Sequence, residues 1–306
     1  MNKLLISVIG PTAIGKTKLA ILLARHFKTE IISADSRQFY KEMRIGTAVP
    51  RPDELNQATH HFIQHKSVTE SYSVGDFERE AIEKIRNLFK TKNIVVMVGG
   101  SGLYVNAVTE GLNAFPTIDA SVRTKLNSEL EAHGLDYLQD RLKKMDSTYY
   151  DKVDIHNPQR VIRALEVCIG SGQPYSSFIA KPTSKRNFEV VTVGLKADRS
   201  IIYNRINQRV DLMLQEGLVE EALAVVPFRT TNALQTVGYK ELFKHFDGEW
   251  TMDFAIAEIK KNTRRFAKRQ LTWFLKNEKA IWFNYDDDEE TIIQSIEKEI
   301  KKTSNA

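Results

Sequence analysis

Apolar residues in the N-terminal third of the chain switch between two spacings. Leu4-Leu5-Ile6-Ser7-Val8-Ile9 is a short uncharged run that predicts a strand buried on both faces. Lys16 to Phe27 carries Leu19, Ala20, Leu22, Leu23 and Phe27 at helical spacing. Glu30 to Ser33 predicts a second strand, ending at Ala34-Asp35-Ser36. Asp76 to Lys90 predicts a helix with Ile82, Ile85, Leu88 and Phe89 on its buried stripe. Ile94 to Val98 predicts a third strand, ending at Gly99-Gly100-Ser101-Gly102. Alternating strand and helix describes a parallel α/β sheet.

The pattern then changes. From about Pro116 to Pro182 there is no strand candidate, only amphipathic helices over Ala120–His133, Asp136–Lys144 and Pro158–Ile169. Sheet chemistry returns at Glu189 to Leu195. Helices follow over Ile202–Gln215, Val219–Val225, Tyr239–Phe246 and Asp253–Lys276, then a strand at Ala280–Phe283 and a last helix from Glu289. The expected organisation is an α/β core over 1–115 and 186–306, interrupted by a helical insertion over 116–185. The acidic run Asp286 to Glu290 reads as a solvated turn capping the last helix.

Composition narrows the class. The chain has 306 residues, 42% hydrophobic and 27% charged, enough for a packed core. It lacks an apolar run long enough for a bilayer and an N-terminal segment of signal type. Its one cysteine, Cys168, excludes a disulfide framework and a cysteine-built zinc site. A cytosolic protein with no membrane partner is expected. Net charge is +5, which permits an anionic partner without demanding one.

Gly10-Pro11-Thr12-Ala13-Ile14-Gly15-Lys16-Thr17 matches G-x-x-x-x-G-K-[ST] between a strand and a helix. Such a loop turns backbone N–H groups onto phosphate oxygens at a helix N-terminus. Lys16 adds a mobile cation, and the Thr17 hydroxyl can ligate Mg²⁺. This predicts a P-loop NTPase-like core and a di- or triphosphate ligand. Asp35 ends the second strand and should face the same crevice, as a water-mediated Mg²⁺ ligand, a general base or simply a helix N-cap. Ser101 sits on the same rim. His60 and His61 are neighbours pointing different ways, a poor chelating pair.

Three cationic groups remain. Arg160 and Arg163 share a helix face, either as a salt bridge to Glu166 or as a phosphate-backbone contact. Arg205 and Arg209 share another, as partners of Asp211 or as a diphosphate clamp. Lys260 to Lys276 holds Lys260, Lys261, Arg264, Arg265, Lys268, Arg269 and Lys276 without an acid. Ile259, Phe266 and Trp273 recur at sevens and are expected to bury one stripe. Single-sign charge over that length favours nucleic acid.

Taken together, these blocks resemble the bacterial tRNA dimethylallyltransferases (isopentenyl-tRNA transferases). The likeness rests on the phosphate loop, Asp35-Ser36-Arg37-Gln38-Phe39-Tyr40, Ile45 to Pro50, Val98 to Tyr104, Gln159 to Glu166, Val237 to Glu241 and Ala267-Lys268-Arg269-Gln270-Leu271-Thr272-Trp273. Ile14, Val49 and Ser101 depart from the usual residues, and the 156–158 segment is shorter than usual. The resemblance implies transfer of a dimethylallyl group from dimethylallyl diphosphate to N6 of adenosine 37, in tRNAs reading codons that begin with U. It implies catalytic roles for Asp35, Lys16, Thr17 and Arg209. It implies Mg²⁺ held at Thr17 and the diphosphate at residues 10–17. It implies tRNA contacts at Asp35, Ser36, Arg37, Gln38, Ser101, Arg123, Gln159, Arg160, Val161, Ile162, Arg163, Thr236, Val237, Gly238, Tyr239, Lys240 and Glu241. The anticodon stem-loop is gripped by the insertion, and the enzyme is expected to be a monomer. The rival reading is a P-loop nucleoside or nucleotide kinase. A second rival, an RNA-binding protein with a relic loop, conflicts with intact Lys16 and Thr17.

Overall fold

A computed structural model describes residues 3–179 and 186–305. The chain divides into two compact units, Met1–Thr109 with Arg186–Ala306, and Glu110–Lys185. Pro182, expected to mark the insertion's return point, lies outside the described residues.

The first unit begins with β1 (Leu4–Ile9), α1 (Lys16–His26), β2 (Ile31–Ser33), α2 (Pro52–Leu55), β3 (His60–His61), α3 (Val74–Leu88), β4 (Ile94–Val98) and α4 (Gly102–Thr109). The strands join β5 (Glu189–Lys196) and β6 (Ile281–Asn284), from later in the chain, in one sheet of order β3-β2-β4-β1-β5-β6. Every pairing is parallel. All six residues of β1 are buried, because it is central in the sheet and covered on both faces. Val8 lies opposite Val98 on one side and Val193 on the other, so β1 and β4 end level. The loops after β1, β2 and β4 therefore open on one rim, the place where parallel sheets bind ligands. The short strand β3 has no periodic signal. His60 and His61 enter it by pairing with Ile31 and Ile32 at the sheet edge.

The second unit contains α5 (Ala120–Met145), α6 (Ser147–Tyr150), α7 (Pro158–Ser171) and α8 (Tyr175–Ile179). Gly134 in α5 has φ 78° and ψ 177°, so two helices meet there, as the sequence spacing predicts. Asn157 caps α7 by accepting the Gln159 and Arg160 amides. The first boundary falls at Thr109 rather than at residue 115. The reason is local: Asn113 donates to the Phe178 and Ile179 carbonyls, and Phe115 stacks on Tyr175. This unit has its own core of Leu126, Leu138, Leu142, Val161, Ile162, Ala164 and Leu165.

Val161 and Ile162 are fully buried in that core. Their side chains hold α7 against α5, which corrects the expectation that they contact RNA.

The first unit continues with α9 (Arg199–Gln215), α10 (Leu218–Ala224), α11 (Tyr239–Phe246), α12 (Met252–Phe274) and α13 (Glu289–Asn305). Asp288 caps α13 by accepting the Thr291 amide, the role expected of the acidic run. Among the described residues no helix is long and apolar enough to cross a membrane.

Ile162→Ala should destabilise the chain by about 2–5 kcal/mol, because it opens a cavity between packed helices. A denaturant midpoint unchanged from the native protein would refute the core assignment.

Candidate active site

The phosphate loop runs from the end of β1 into α1. Gly15 is the residue before the helix and adopts φ 111°, a left-handed conformation that suits glycine. No side chain caps α1, and its first turn has no acid. The leading amides are thus left for an anion. Lys16 Nζ donates to the Pro11 carbonyl at 2.8 Å. Burial lowers the Lys16 pKa to about 8, Asp35 opposing the shift and Arg209 adding to it.

Asp35 follows β2. Its Oδ1 accepts the Arg37 amide at 3.1 Å, so it caps a turn rather than a helix and still faces the cavity. Burial pushes its carboxyl above the usual range, against the Arg37 and Gln38 amides and the Lys16 and Arg37 charges. Ser101 Oγ accepts the Ser36 amide and lies 3.0 Å from Ser36 Oγ, joining the rims of β2 and β4. Gln38 Nε2 donates to the Thr47 and Ala48 carbonyls at 3.1 and 2.9 Å, which orders the segment over the site.

Two cavities flank these residues, of about 860 and 760 Å³. The larger holds Lys16, Thr17, Arg44, Arg51 and Arg205 around the phosphate loop. The smaller is lined by Ser101, the 235–238 segment, and Phe266, Arg269 and Trp273 of α12. Thr12, Asp35, Thr47, Ala48, Arg209 and Met213 line both, so the cavities meet at a neck carrying one carboxylate and one guanidinium.

The two arginines of α9 divide their work. Arg205 Nε donates to the Ala13 carbonyl at 2.7 Å and its guanidinium lies over Tyr285, so it braces the loop. Asp211 pairs with Lys260, not with either arginine. Among the described residues no hydrogen bond or ion pair engages Arg209, and burial lowers its pKa. It is a cation facing the neck, with the Glu54 charge acting on it only from beyond ion-pair distance.

The helix α12 departs from expectation. Ile259 is buried, but Phe266 and Trp273 are 38% and 41% exposed. The stripe at sevens faces the cavity. Burial falls instead on Ala255, Ile259, Ala267, Gln270 and Phe274, where the helix packs against α4, α9 and α11. Lys260 and Lys261 are paired with Asp211 and Glu258, and Arg264 donates to Asn207. Arg265, Lys268, Arg269 and Lys276 line an open groove beside Trp273.

The remaining sequence candidates separate. Thr236, Val237, Gly238 and Lys240 line the smaller cavity. Tyr239 is fully buried and donates to Glu221 at 2.6 Å. The Glu241 carboxylate accepts the Gly238 amide and the Asn262 amide group. Tyr239 braces the segment from the core, which corrects its assignment as an RNA contact, whereas Glu241 braces it from the cavity wall. In the helical unit, Arg123 and Arg163 converge on Glu166 at 3.0 and 3.1 Å, and Arg123 also donates to Gln159. Arg160 stays exposed. His61 pairs with Glu30, and among the described residues no group of three or more His, Cys, Asp or Glu is placed to hold a metal.

Sequence reasoning missed Glu221 and Gln270 as site residues. Glu221 accepts the Arg44, Ile45 and Gly46 amides, fixing the segment above the neck. Nothing local distinguishes it from the acid beside it. Gln270 had one signal, a neutral amide among cations.

A family model described as IPP transferase matches residues 38–278. The chain belongs to the IPP transferase family. The matched segment starts after the phosphate loop, so the loop is independent evidence. The tRNA dimethylallyltransferase of Christiangramia forsetii is 58% identical over 300 residues, covering 98% of this chain and 99% of that one. That of Flavobacterium johnsoniae is 56% identical, with 98% and 99% coverage. Among solved structures, the tRNA isopentenylpyrophosphate transferase of Bacillus halodurans is similar at 38% identity and TM-score 0.72, covering 99% of this chain and 96% of that one. A eukaryotic dimethylallyltransferase acting on tRNA is similar at 25% identity and TM-score 0.79, covering 93% and 74%.

The Lys16 environment sets a pH dependence for this family member. Its ammonium form attracts an anion and is lost as pH rises through about 8. Affinity for inorganic diphosphate should fall as pH rises from about 7 to about 9. Calorimetric titrations of native protein and Lys16→Met should differ by that step, since the ligand's own titration is common to both. Parallel pH profiles would contradict the assignment.

Proposed function

We propose that this chain transfers a dimethylallyl group from dimethylallyl diphosphate to the exocyclic N6 of adenosine 37 in tRNA. One observation carries the reading: a phosphate-binding cavity and an aromatic, cation-rimmed cavity meet at Asp35 and Arg209. Such a neck suits two substrates entering from opposite ends. The family membership and the names of its relatives support the same reaction over phosphoryl transfer. A kinase also needs an acceptor cavity, but a small acceptor leaves the open groove of Arg265, Lys268, Arg269 and Lys276 on α12 without a role.

The diphosphate lies on the free amides of α1, with Lys16 and Arg209 opposing its charge. The base leaves its stack and enters the other cavity, where Ser101, Phe266 and Trp273 offer a hydroxyl and ring faces. The bond between C1 of the prenyl group and the diphosphate oxygen breaks as N6 bonds to C1. Asp35 takes the proton from N6, and its raised pKa suits it to accept one. Positioning and stabilisation of the leaving diphosphate carry most of the acceleration, because a base amine is a weak nucleophile.

Thr17 would hold Mg²⁺, whose contribution is to neutralise charge on the leaving group. Thr17 fits an ion carried largely by the diphosphate, since Mg²⁺ takes few protein ligands when phosphates supply the rest, and Asp35 is left for the proton. Arg123, Gln159, Arg160 and Arg163 offer a cationic surface on the helical unit for the stem-loop.

Purified protein given labelled dimethylallyl diphosphate and tRNA should label the tRNA without ATP. Transfer from γ-labelled ATP to a nucleoside, with none from the prenyl donor, would establish the kinase instead. Asp35→Asn should lower turnover by about 10²–10⁴-fold while tRNA affinity changes far less. Equal loss of both would reduce Asp35 to a turn cap.

A further inference from the structure

Gln270 lies on the buried side of α12, 6% exposed, and reaches two loops. Its Oε1 accepts the Thr12 amide at 2.8 Å, and its Nε2 donates to the Gly100 carbonyl at 2.8 Å. The partners dictate this orientation: an N–H requires the oxygen and a carbonyl requires the NH₂. The fit is close. A Cβ on Gly100 would come within 2.4 Å of Nε2, so position 100 has no room for a side chain.

The Thr12 N–H belongs to the same planar peptide as the Pro11 carbonyl. That carbonyl accepts Lys16 Nζ at 2.8 Å. One peptide plane is thus held from both ends, by Gln270 on its N–H and by Lys16 on its C=O. The two holds differ in permanence. Lys16 must turn part of its charge to an arriving diphosphate, whereas Gln270 is buried and each polar atom of its amide already binds a backbone group. An ammonium has three donors, so Lys16 can reach the ligand and keep Pro11 only while the carbonyl stays in place. If the plane rotated, the carbonyl would turn from Lys16 toward the Gln270 oxygen, and Lys16 would lose its anchor.

We propose that Gln270 is a positioning residue that locks the Pro11–Thr12 peptide and, through the Pro11 carbonyl, aims Lys16 at the diphosphate. This deepens the proposed function, resting on its reading that the loop's ligand is a diphosphate. Gln270 also edges the smaller cavity, but the oxygen and nitrogen of its amide are both engaged by backbone groups. Its effect passes through Lys16, and that sets it apart from an ordinary core amide.

The test is a double-mutant cycle between Gln270→Met and Lys16→Met, read by calorimetric binding of inorganic diphosphate. Methionine keeps the length and volume of glutamine without its hydrogen bonds. With Lys16 present, Gln270→Met should weaken diphosphate binding about tenfold or more, because the Thr12 amide and Gly100 carbonyl lose their partner. With Lys16 already replaced, the same change should cost less than about twofold. An equal loss in both backgrounds, or no loss in either, would overturn the assignment. Should Gln270→Met fail to fold, Gln270→Asn serves in the same cycle: it keeps the amide but is one methylene too short to span both loops. Diphosphate binding requires neither prenyl donor nor RNA. Native protein that binds diphosphate but leaves tRNA unmodified would sink the proposed reaction and leave the role of Gln270 standing.

Discussion

Asp35 and Arg209 share one desolvated neck with Lys16 beside them in the larger cavity, and the rest of the structure answers to that constraint. Desolvation acts on each in the same sense, disfavouring the charged form: the two cations are pushed down and the carboxyl is pushed up. A site with two cations near one acid is incomplete until an anion arrives. That imbalance favours an anionic ligand; burial raises the Asp35 carboxyl, and the Lys16 and Arg37 charges oppose the rise.

The parallel sheet makes the neck possible. With β1 in the middle and β4 level with it, the phosphate loop and the Gly99–Gly102 turn leave the sheet together. Backbone groups do much of the bracing. Glu221 gathers three consecutive amides above the neck, Arg205 holds the Ala13 carbonyl, and Gln270 spans Thr12 and Gly100. Polar side chains that span to backbone groups of distant loops transmit position better than apolar packing, because their geometry is directional.

Helix α12 has two jobs on two faces. Its buried side, with Gln270, reaches the loops of the site. Its open side presents Phe266, Trp273, Arg269 and neighbouring cations. A heptad count assigns Phe266 and Trp273 to the core, because periodicity reports that a helix has an apolar face and not what covers it. Here part of that face is left open by the described residues. Ring faces left at a cavity mouth are suited to an unstacked base.

The sequence by itself determined the alternation of strands and helices, the helical interruption, the phosphate loop and the family, since each is written in local spacing or in an ordered set of short motifs. The two helices meeting at Gly134 and the cap at Asp288 were legible for the same reason. The strand at His60–His61 was not, because two residues carry no period and owe their conformation to Ile31 and Ile32. Val161, Ile162 and Tyr239 lie inside motifs that suggest RNA contact, and only packing reveals that their side chains are core. The pairing of Asp211 with Lys260, the freedom of Arg209 and the double hold on the Pro11–Thr12 peptide were decided by tertiary structure. Each depends on groups far apart in the chain, and only the fold sets the distance between them.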